Sequence, residues 1–328
     1  MKFRFILLSL IAVVTVAGVI LPYKAKASSP SDISVTTSPE NPTPNSNVTI
    51  TLSSYVDDLN GVLISWSING KSSLSGIGQK SFSLTAPALG QQTTVVATLA
   101  LSDGDVNETI VVKPAIMTLL WEADGSYVPP FYEGKSMPSP ESEVKVVAIP
   151  EIKSGSSFID PNNMLYSWSL DDTNDQSNSG YGKNYYTYTS DYLDNSNNVS
   201  VTASSIDQQN SATASLNIAT VTPKIEFYKN DPNLGTIWEQ ALSDGSTITN
   251  DENVLAAPYF ISPADIRIPF LTFAWSINGQ SISVPDNTKN MLPLQVQSGK
   301  SGISQIGLEV DNIHSLVNTA TKEIVVNF

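Results

Sequence analysis

Cysteine is absent from the 328 residues, histidine occurs once, and only 15% of the side chains are charged, with a formal net charge of −14. Without cysteine there can be no disulfide staple, thiol nucleophile, Cys-containing zinc site or lipid-modified cysteine anchor. The single histidine, His314, lies among Ser, Asn and Val with no Gly-x-Ser-x-Gly elbow anywhere in the chain, so it reads as solvent-exposed rather than catalytic. The acidic balance argues against nucleic acid, because binding a polyanion needs clustered Lys and Arg to displace its counterions. No glycine loop suited to cradling phosphate is present.

Apart from the first 27 residues, no apolar run is long enough to cross a bilayer. Lys2 and Arg4 supply a positive start, Phe5 to Leu21 is almost wholly apolar, and Ala25-Lys26-Ala27 is a small-x-small cleavage pattern. Residues 1–27 are therefore expected to be a signal peptide, or, if uncleaved, an N-terminal membrane anchor helix. A 17-residue helix spans only about 25 Å, short of the roughly 30 Å hydrocarbon core, which favours cleavage after Ala27. Cleavage removes four cations and no acid, taking the net charge from −14 to −18 and the length from 328 to 301. The expected location is extracellular, cell-surface or periplasmic, with membrane attachment only through the N-terminal segment.

The remainder repeats three times. Ile64-Ser65-Trp66-Ser67-Ile68-Asn69-Gly70, Tyr166-Ser167-Trp168-Ser169-Leu170-Asp171-Asp172 and Phe273-Ala274-Trp275-Ser276-Ile277-Asn278-Gly279 read nearly alike, with tryptophans 102 and 107 residues apart. Strict apolar alternation around each tryptophan predicts a strand with one buried face, and the Asn-Gly or Asp-Asp pair predicts a tight turn. Each repeat closes with a hairpin: Thr93–Leu101 with Thr109–Val112, Asn198–Ala203 with Ala212–Ile218, and Ser304–Val310 with Glu323–Val326. The expected modules are 28–114, which has a Pro-rich entry, 115–222 and 223–328. The second and third also match in their first halves, where Trp121 and Tyr228 each stand 47 residues before their core tryptophan.

Short strands at close spacing, about 100 residues per module and no helical periodicity predict an all-β chain of three tandem Ig-like β-sandwiches. The aromatic-x-Trp-x-x-(Asn/Asp)-Gly stretch with its terminal Val/Thr-rich hairpin resembles bacterial PKD-type and related Ig-like modules over residues 33 to 328. This PKD-like resemblance implies a sandwich fold in a cell-envelope repeat protein. The sequence departs from that pattern in lacking the antibody-type Cys pair and the Gly-Asp-Gly turn.

Trp66, Trp168 and Trp275 lie on alternating apolar stripes and are expected in the core, where each ring buries about 150–250 Å². The candidate partner-binding residues are Tyr181, Tyr185, Tyr186, Tyr188 and Tyr192, set among Asn, Ser and Asp in a paratope-like composition, with Trp238 in a turn-rich stretch. The even spacing of Tyr186 and Tyr188 also fits the half-buried face of a strand. Asp171, Asp172 and Asp175 form the acidic loop best suited to calcium, and no other cofactor is expected. The expected function is non-enzymatic: adhesion, spacing or scaffolding through a protein or glycan at the cell envelope. The alternatives are a carbohydrate-binding or carbohydrate-processing envelope protein, and a membrane-anchored subunit of a larger envelope assembly.

Overall fold

The computed structural model describes residues 32–249, 251–297 and 299–328. The expected signal or anchor, residues 1–27, lies outside them. Among the described residues there is no α-helix, and no helix long and apolar enough to cross a membrane. The chain divides between Pro114 and Ala115 into two compact units.

The first unit contains β1 (Ile33–Ser38), β2 (Asn47–Ser54), β3 (Leu63–Ile68), β4 (Lys71–Ile77), β5 (Ser81–Thr85), β6 (Thr93–Leu101) and β7 (Gly104–Val112). They form antiparallel sheets of order β1-β2-β5 and β4-β3-β6-β7. Alternation decides the faces, as it must for a period of two. Val48, Ile50 and Leu52 of β2 pack with Ile64 and Trp66 of β3 and with Val95, Ala97 and Leu99 of β6 in one core.

The second unit holds two cores. Around the first are β8 (Ile116–Glu122), β9 (Glu143–Glu151), the short hairpin β10 (Lys153–Ser154) and β11 (Ser157–Phe158), β12 (Leu165–Leu170), β13 (Thr173–Tyr181), β14 (Tyr185–Thr189), β15 (Ser196–Ser204) and β16 (Ser211–Ala219). The sheets β14-β9-β8 and β13-β12-β15-β16 reproduce the order seen in the first unit. Around the other core are β17 (Lys224–Asp231), β18 (Gly235–Leu242), β19 (Asp251–Tyr259), β20 (Leu271–Ile277), β21 (Gln280–Ile282), β22 (Met291–Gln295), β23 (Ile303–Asn312) and β24 (Thr319–Asn327). Here β21-β20-β23-β24 faces β18-β17-β19-β22, the same arrangement with one additional strand, β18. The described residues are therefore an all-β, Ig-like architecture with three hydrophobic cores, each lined by two antiparallel sheets.

One device recurs in each. Trp66, Trp168 and Trp275 are fully buried, and each indole Nε1 donates at 2.8 Å to a backbone carbonyl, of Gln79, Lys183 and Lys289 respectively. These carbonyls lie in the connection that brings the chain back to the opposite sheet. Each ring also stacks on an aromatic of that sheet: Phe82 at 5.2 Å, Tyr186 at 5.4 Å and Phe227 at 5.4 Å between centroids. The turn three residues further on does a second job. Asn69, Asp171 and Asn278 adopt positive φ, and the side-chain oxygen of each accepts from a backbone N–H at the start of the neighbouring strand: Thr94 at 2.9 Å, Asn198 at 2.7 Å and Gln305 at 2.8 Å.

The expected equivalence of Trp121 and Tyr228 is corrected by strand register. Met117 lies opposite Pro150, and Ile225 opposite Pro258, so Tyr228 corresponds to Leu120 and Trp121 to Lys229. A one-residue slip exchanges the two faces of a strand. Trp121 thus leans on its core with Met117 and Leu119, whereas Tyr228 lies on the outer face of β17, bonding through its hydroxyl to Tyr259 at 2.7 Å. Counting back from the tryptophan misleads because the stretch from the second strand to the tryptophan is one residue shorter in the last repeat, as Pro150 to Trp168 and Pro258 to Trp275 show.

Within the second unit, the segment after β8 reaches across to the neighbouring sandwich. Tyr127 N donates to Ile261 O at 2.8 Å, Phe260 N donates to Tyr127 O at 2.7 Å, and the Tyr127 ring packs against the Trp275 core. Tyr132 meets Tyr259 and Phe260 edge-on at 5.6 and 5.8 Å. Asn318, with no exposed surface, donates from Nδ2 to Ser139 Oγ at 3.0 Å and Pro140 O at 3.1 Å while its Oδ1 accepts from Ser262 N at 3.0 Å. The Glu141 carboxylate accepts from Ser315 Oγ, from Leu316 N at 2.8 Å and from Val317 N at 3.3 Å. Burial alone raises the Glu141 pKa, but these three donors outweigh it and hold the group below the ordinary glutamate value of 4.5.

Two outcomes follow from these contacts. Asn69→Ala, which loses the bond to Thr94 and forces a Cβ-bearing residue to positive φ without its local hydrogen bonds, is expected to destabilise the first sandwich by about 1–3 kcal/mol; Asn69→Gly should cost only about 0.5–1.5 kcal/mol. Denaturant titration of both variants checks the difference, and equal losses would show that the φ angle contributes nothing. At the joint, a depressed folded pKa gives stability that is complete above the unfolded value and is lost as pH falls through the folded one. Thermal melts between about pH 3 and 6 should therefore show a fall at the acid end that is shallower in Glu141→Gln, where the other depressed carboxylates still contribute.

Candidate functional site

Strand alternation divides the tyrosine cluster. On β14, Tyr186 and Tyr188 point inward, at 3% and 7% exposure, and stack on each other at 5.8 Å behind Trp168. They are core residues, which corrects their assignment as partner contacts. Desolvation is the main cause that raises the Tyr186 hydroxyl to about 12, and it also pushes Tyr188 upward. Tyr185 points outward at 54% exposure. Tyr181 and Tyr192 are also exposed, and the Tyr181 hydroxyl donates to Asn163 Oδ1 at 2.7 Å.

Tyr185 is one end of a cross-strand row. Register places it opposite Val147, and Val147 opposite Leu120, which is 55% exposed on the edge strand β8. Exposed Ile149 stands two residues along β9 on the same face. Against the β8 end of this row lies a cavity of about 550 Å³ lined by Leu119, Leu120, Trp121, Glu122, Lys135, Lys145 and Val147. Lys135 Nζ sits 3.2 Å from the centroid of the Trp121 ring, and Lys145 Nζ lies 5.8 Å from that of Tyr185. Burial lowers the Lys135 pKa, and the nearby Glu122 charge works against that shift. Exposed apolar side chains on the outer face, and an aromatic ring with two cations around the β8 edge, thus adjoin one another, a combination suited to holding another molecule.

Trp238 is not in a turn. It lies on β18, partly buried against Tyr228 with ring centroids 5.0 Å apart, and covers the outer face of β17. Turn residues in the preceding Asp231–Gly235 stretch close the hairpin before the tryptophan is reached. His314 is exposed and stacks on Phe270 at 4.6 Å.

The acidic loop does not assemble a calcium site, and among the described residues no three acidic or histidine side chains cluster suitably for a metal. Asp171 spends Oδ1 on Asn198 N, and its Oδ2 accepts from Asn197 Nδ2 at 3.0 Å. That same amide donates to Asp194 Oδ2 at 2.8 Å, placing N–H groups where a cation would sit between the two carboxylates. Asp175 accepts from Ser177 Oγ, Ser177 N, Asn178 N and Asn178 Nδ2, and these donors, Ser177 Oγ foremost, bring it down to about 2. Asp172 holds the second positive-φ place in the turn.

Neither the row on the outer face nor the joint of the second unit was marked by a motif. Val147 and Leu120 become neighbours only through strand pairing, and Lys135 reaches Trp121 from an irregular segment.

No family model and no curated protein matches this chain. Similar solved structures include the fibronectin(III)-like modules of Clostridium thermocellum CbhA, at 17% identity over 57% of this chain and 94% of that one, with a TM-score of 0.27. The central fibronectin-III array of RIM-binding protein is 9% identical over 92% and 98%, with a TM-score of 0.31. Three N-terminal domains of the bacteriophage RB49 highly immunogenic outer capsid protein are 12% identical over 90% and 98%, with a TM-score of 0.24. At similarities this low, the sandwich assignment stands on strand order alone.

Calcium at about 1 mM, the upper range for extracellular modules, is expected to leave the melting temperature unchanged. A calcium-dependent rise in a thermal melt, abolished by Asp171→Asn, would overturn the correction.

Proposed function

We propose that the chain is an exported, non-enzymatic adhesion or scaffolding protein of the cell envelope, which presents the outer face of the β14-β9-β8 sheet to a protein partner. The observation that carries this reading is the outward row of exposed Leu120 and Tyr185 with half-buried Val147 between them, beside the Trp121 and Lys135 cavity. A soluble domain gains nothing from displaying contiguous apolar side chains unless another surface covers them. The docked pair of sandwiches supports the scaffolding part, because a joint tied by the hydrogen bonds of buried Asn318 fixes how far the face is held from the next module. Export rests on residues 1–27, through their charged start, apolar run and Ala25-Lys26-Ala27.

Retention of the purified chain on envelope preparations from its own cells is the test. Tyr185→Ala combined with Leu120→Ser is expected to lower retention by about tenfold, as two central contacts worth about 0.7 kcal/mol each would, with no more than a small change in melting temperature. Undiminished retention would sink the assignment of this face, and retention lost only in the presence of free glycans would move the reading to carbohydrate binding.

A further inference from the structure

The third sandwich contains a strand that the second lacks. Its β17 pairs on one side with β19 and on the other with β18, through Phe227 opposite Leu242, Tyr228 opposite Ala241, Asn230 opposite Thr236 and Asp231 opposite Gly235. The corresponding strand of the second sandwich is β8, by the matched pairs Met117 with Pro150 and Ile225 with Pro258. Among the described residues β8 pairs only with β9 and ends the sheet. Its outer edge is therefore a row of backbone donors and acceptors in the position that β18 covers in the sister sandwich.

The sequence of β8, Ile116-Met117-Thr118-Leu119-Leu120-Trp121-Glu122, has neither the lysine nor the proline that commonly protects an edge strand. The cavity at its end holds two lysines and one glutamate, and neither Lys135 nor Lys145 forms an ion pair among the described residues. One net positive charge on a chain of −14 marks a place where an acidic side chain is favoured. The occupant of the sister edge carries a carboxylate beside an aromatic ring: β18, Gly235-Thr236-Ile237-Trp238-Glu239-Gln240-Ala241-Leu242, places Glu239 next to Trp238.

We infer that the β8 edge is a strand-acceptor site, which takes an extended antiparallel segment of a partner protein with a carboxylate placed toward Lys135 and Lys145. The added strand extends the Tyr185, Val147 and Leu120 row by one position, so backbone pairing supplies affinity and the cavity supplies selection. This inference rests on the reading of the same sheet face as a partner surface and specifies how the partner is held.

The probe is a synthetic peptide with the sequence of residues 232–243, titrated calorimetrically into the full chain. Three comparisons accompany it: the peptide N-methylated at every second residue, the peptide with Glu239→Gln, and the chain with Lys135→Ala. The expected result is saturable binding that N-methylation weakens at least about tenfold, because the methyl groups remove the donors that pair with an edge. Glu239→Gln should weaken binding several-fold in the unaltered chain and by clearly less in Lys135→Ala, where only Lys145 remains, and this coupling locates the peptide beside β8. Equal binding of the methylated and unmethylated peptides overturns the inference, as does binding indifferent to Lys135→Ala, which would place the peptide on another edge. Absence of binding at about 1 mM peptide overturns it as well. Tyr185 takes no part in this titration, so the strand-acceptor site and the outer face fail or stand separately.

Discussion

Each sandwich depends on one hydrogen-bonded indole. A buried tryptophan contributes about 4–6 kcal/mol of apolar burial at about 25 cal/mol per Å², but its N–H is a liability unless it finds an acceptor. Trp66, Trp168 and Trp275 each find one in the connection leading to the opposite sheet, so a single side chain packs the core and fixes the path of a loop. In a chain without cysteine, this is the non-covalent tie between the two layers. The stacked partner differs between repeats: Phe82 and Tyr186 come from the strand after that loop, whereas Phe227 comes from the first strand of its sandwich. The geometry around the indole persists even though the ring that completes it is supplied from a different strand.

The sequence exposed what period two and turn chemistry determine locally. The strand around each tryptophan, the terminal hairpins and the positive-φ turns can all be read from it; β6 begins and ends at Thr93 and Leu101 as expected, and β15 and β23 exceed their expected bounds by only one or two residues at each end. What it did not expose depends on register and on distant segments meeting. The 47-residue match of Trp121 with Tyr228 put the two on one face, and a single-residue difference in a connection reversed that. The tyrosine composition around residues 181–192 pointed to the right sheet, yet only pairing with β9 separates outward Tyr185 from inward Tyr186 and Tyr188. Lys135 was invisible as a site residue, because nothing in a Pro- and Gly-rich stretch announces that its ammonium will lie over an indole ring.

The second and third sandwiches also use similar material differently. Asp124-Gly125-Ser126 and Asp244-Gly245-Ser246 make the same tight turn, with Ser126 N donating to Ala123 O and Ser246 N to Ser243 O. After the first, Tyr127 bridges forward to Ile261; after the second, Thr247 bridges to Asn327 of its own sandwich. In one case the turn couples modules, and in the other it closes a module on itself.

The joint between these sandwiches has a consequence for a protein of this charge. Chains with a large excess of acid normally stiffen in dilute salt and relax in concentrated salt, as repulsion between their parts is screened over about 10 Å or less. Here the bonds that cross the joint run from neutral amide, hydroxyl and backbone N–H donors to neutral oxygens and to the Glu141 carboxylate, with no cation paired to an anion among the described residues. Neutral donors at contact distance are little affected by mobile ions. The spacing between the two modules is consequently set by hydrogen-bond geometry rather than by the electrolyte, and it changes little between dilute and concentrated salt.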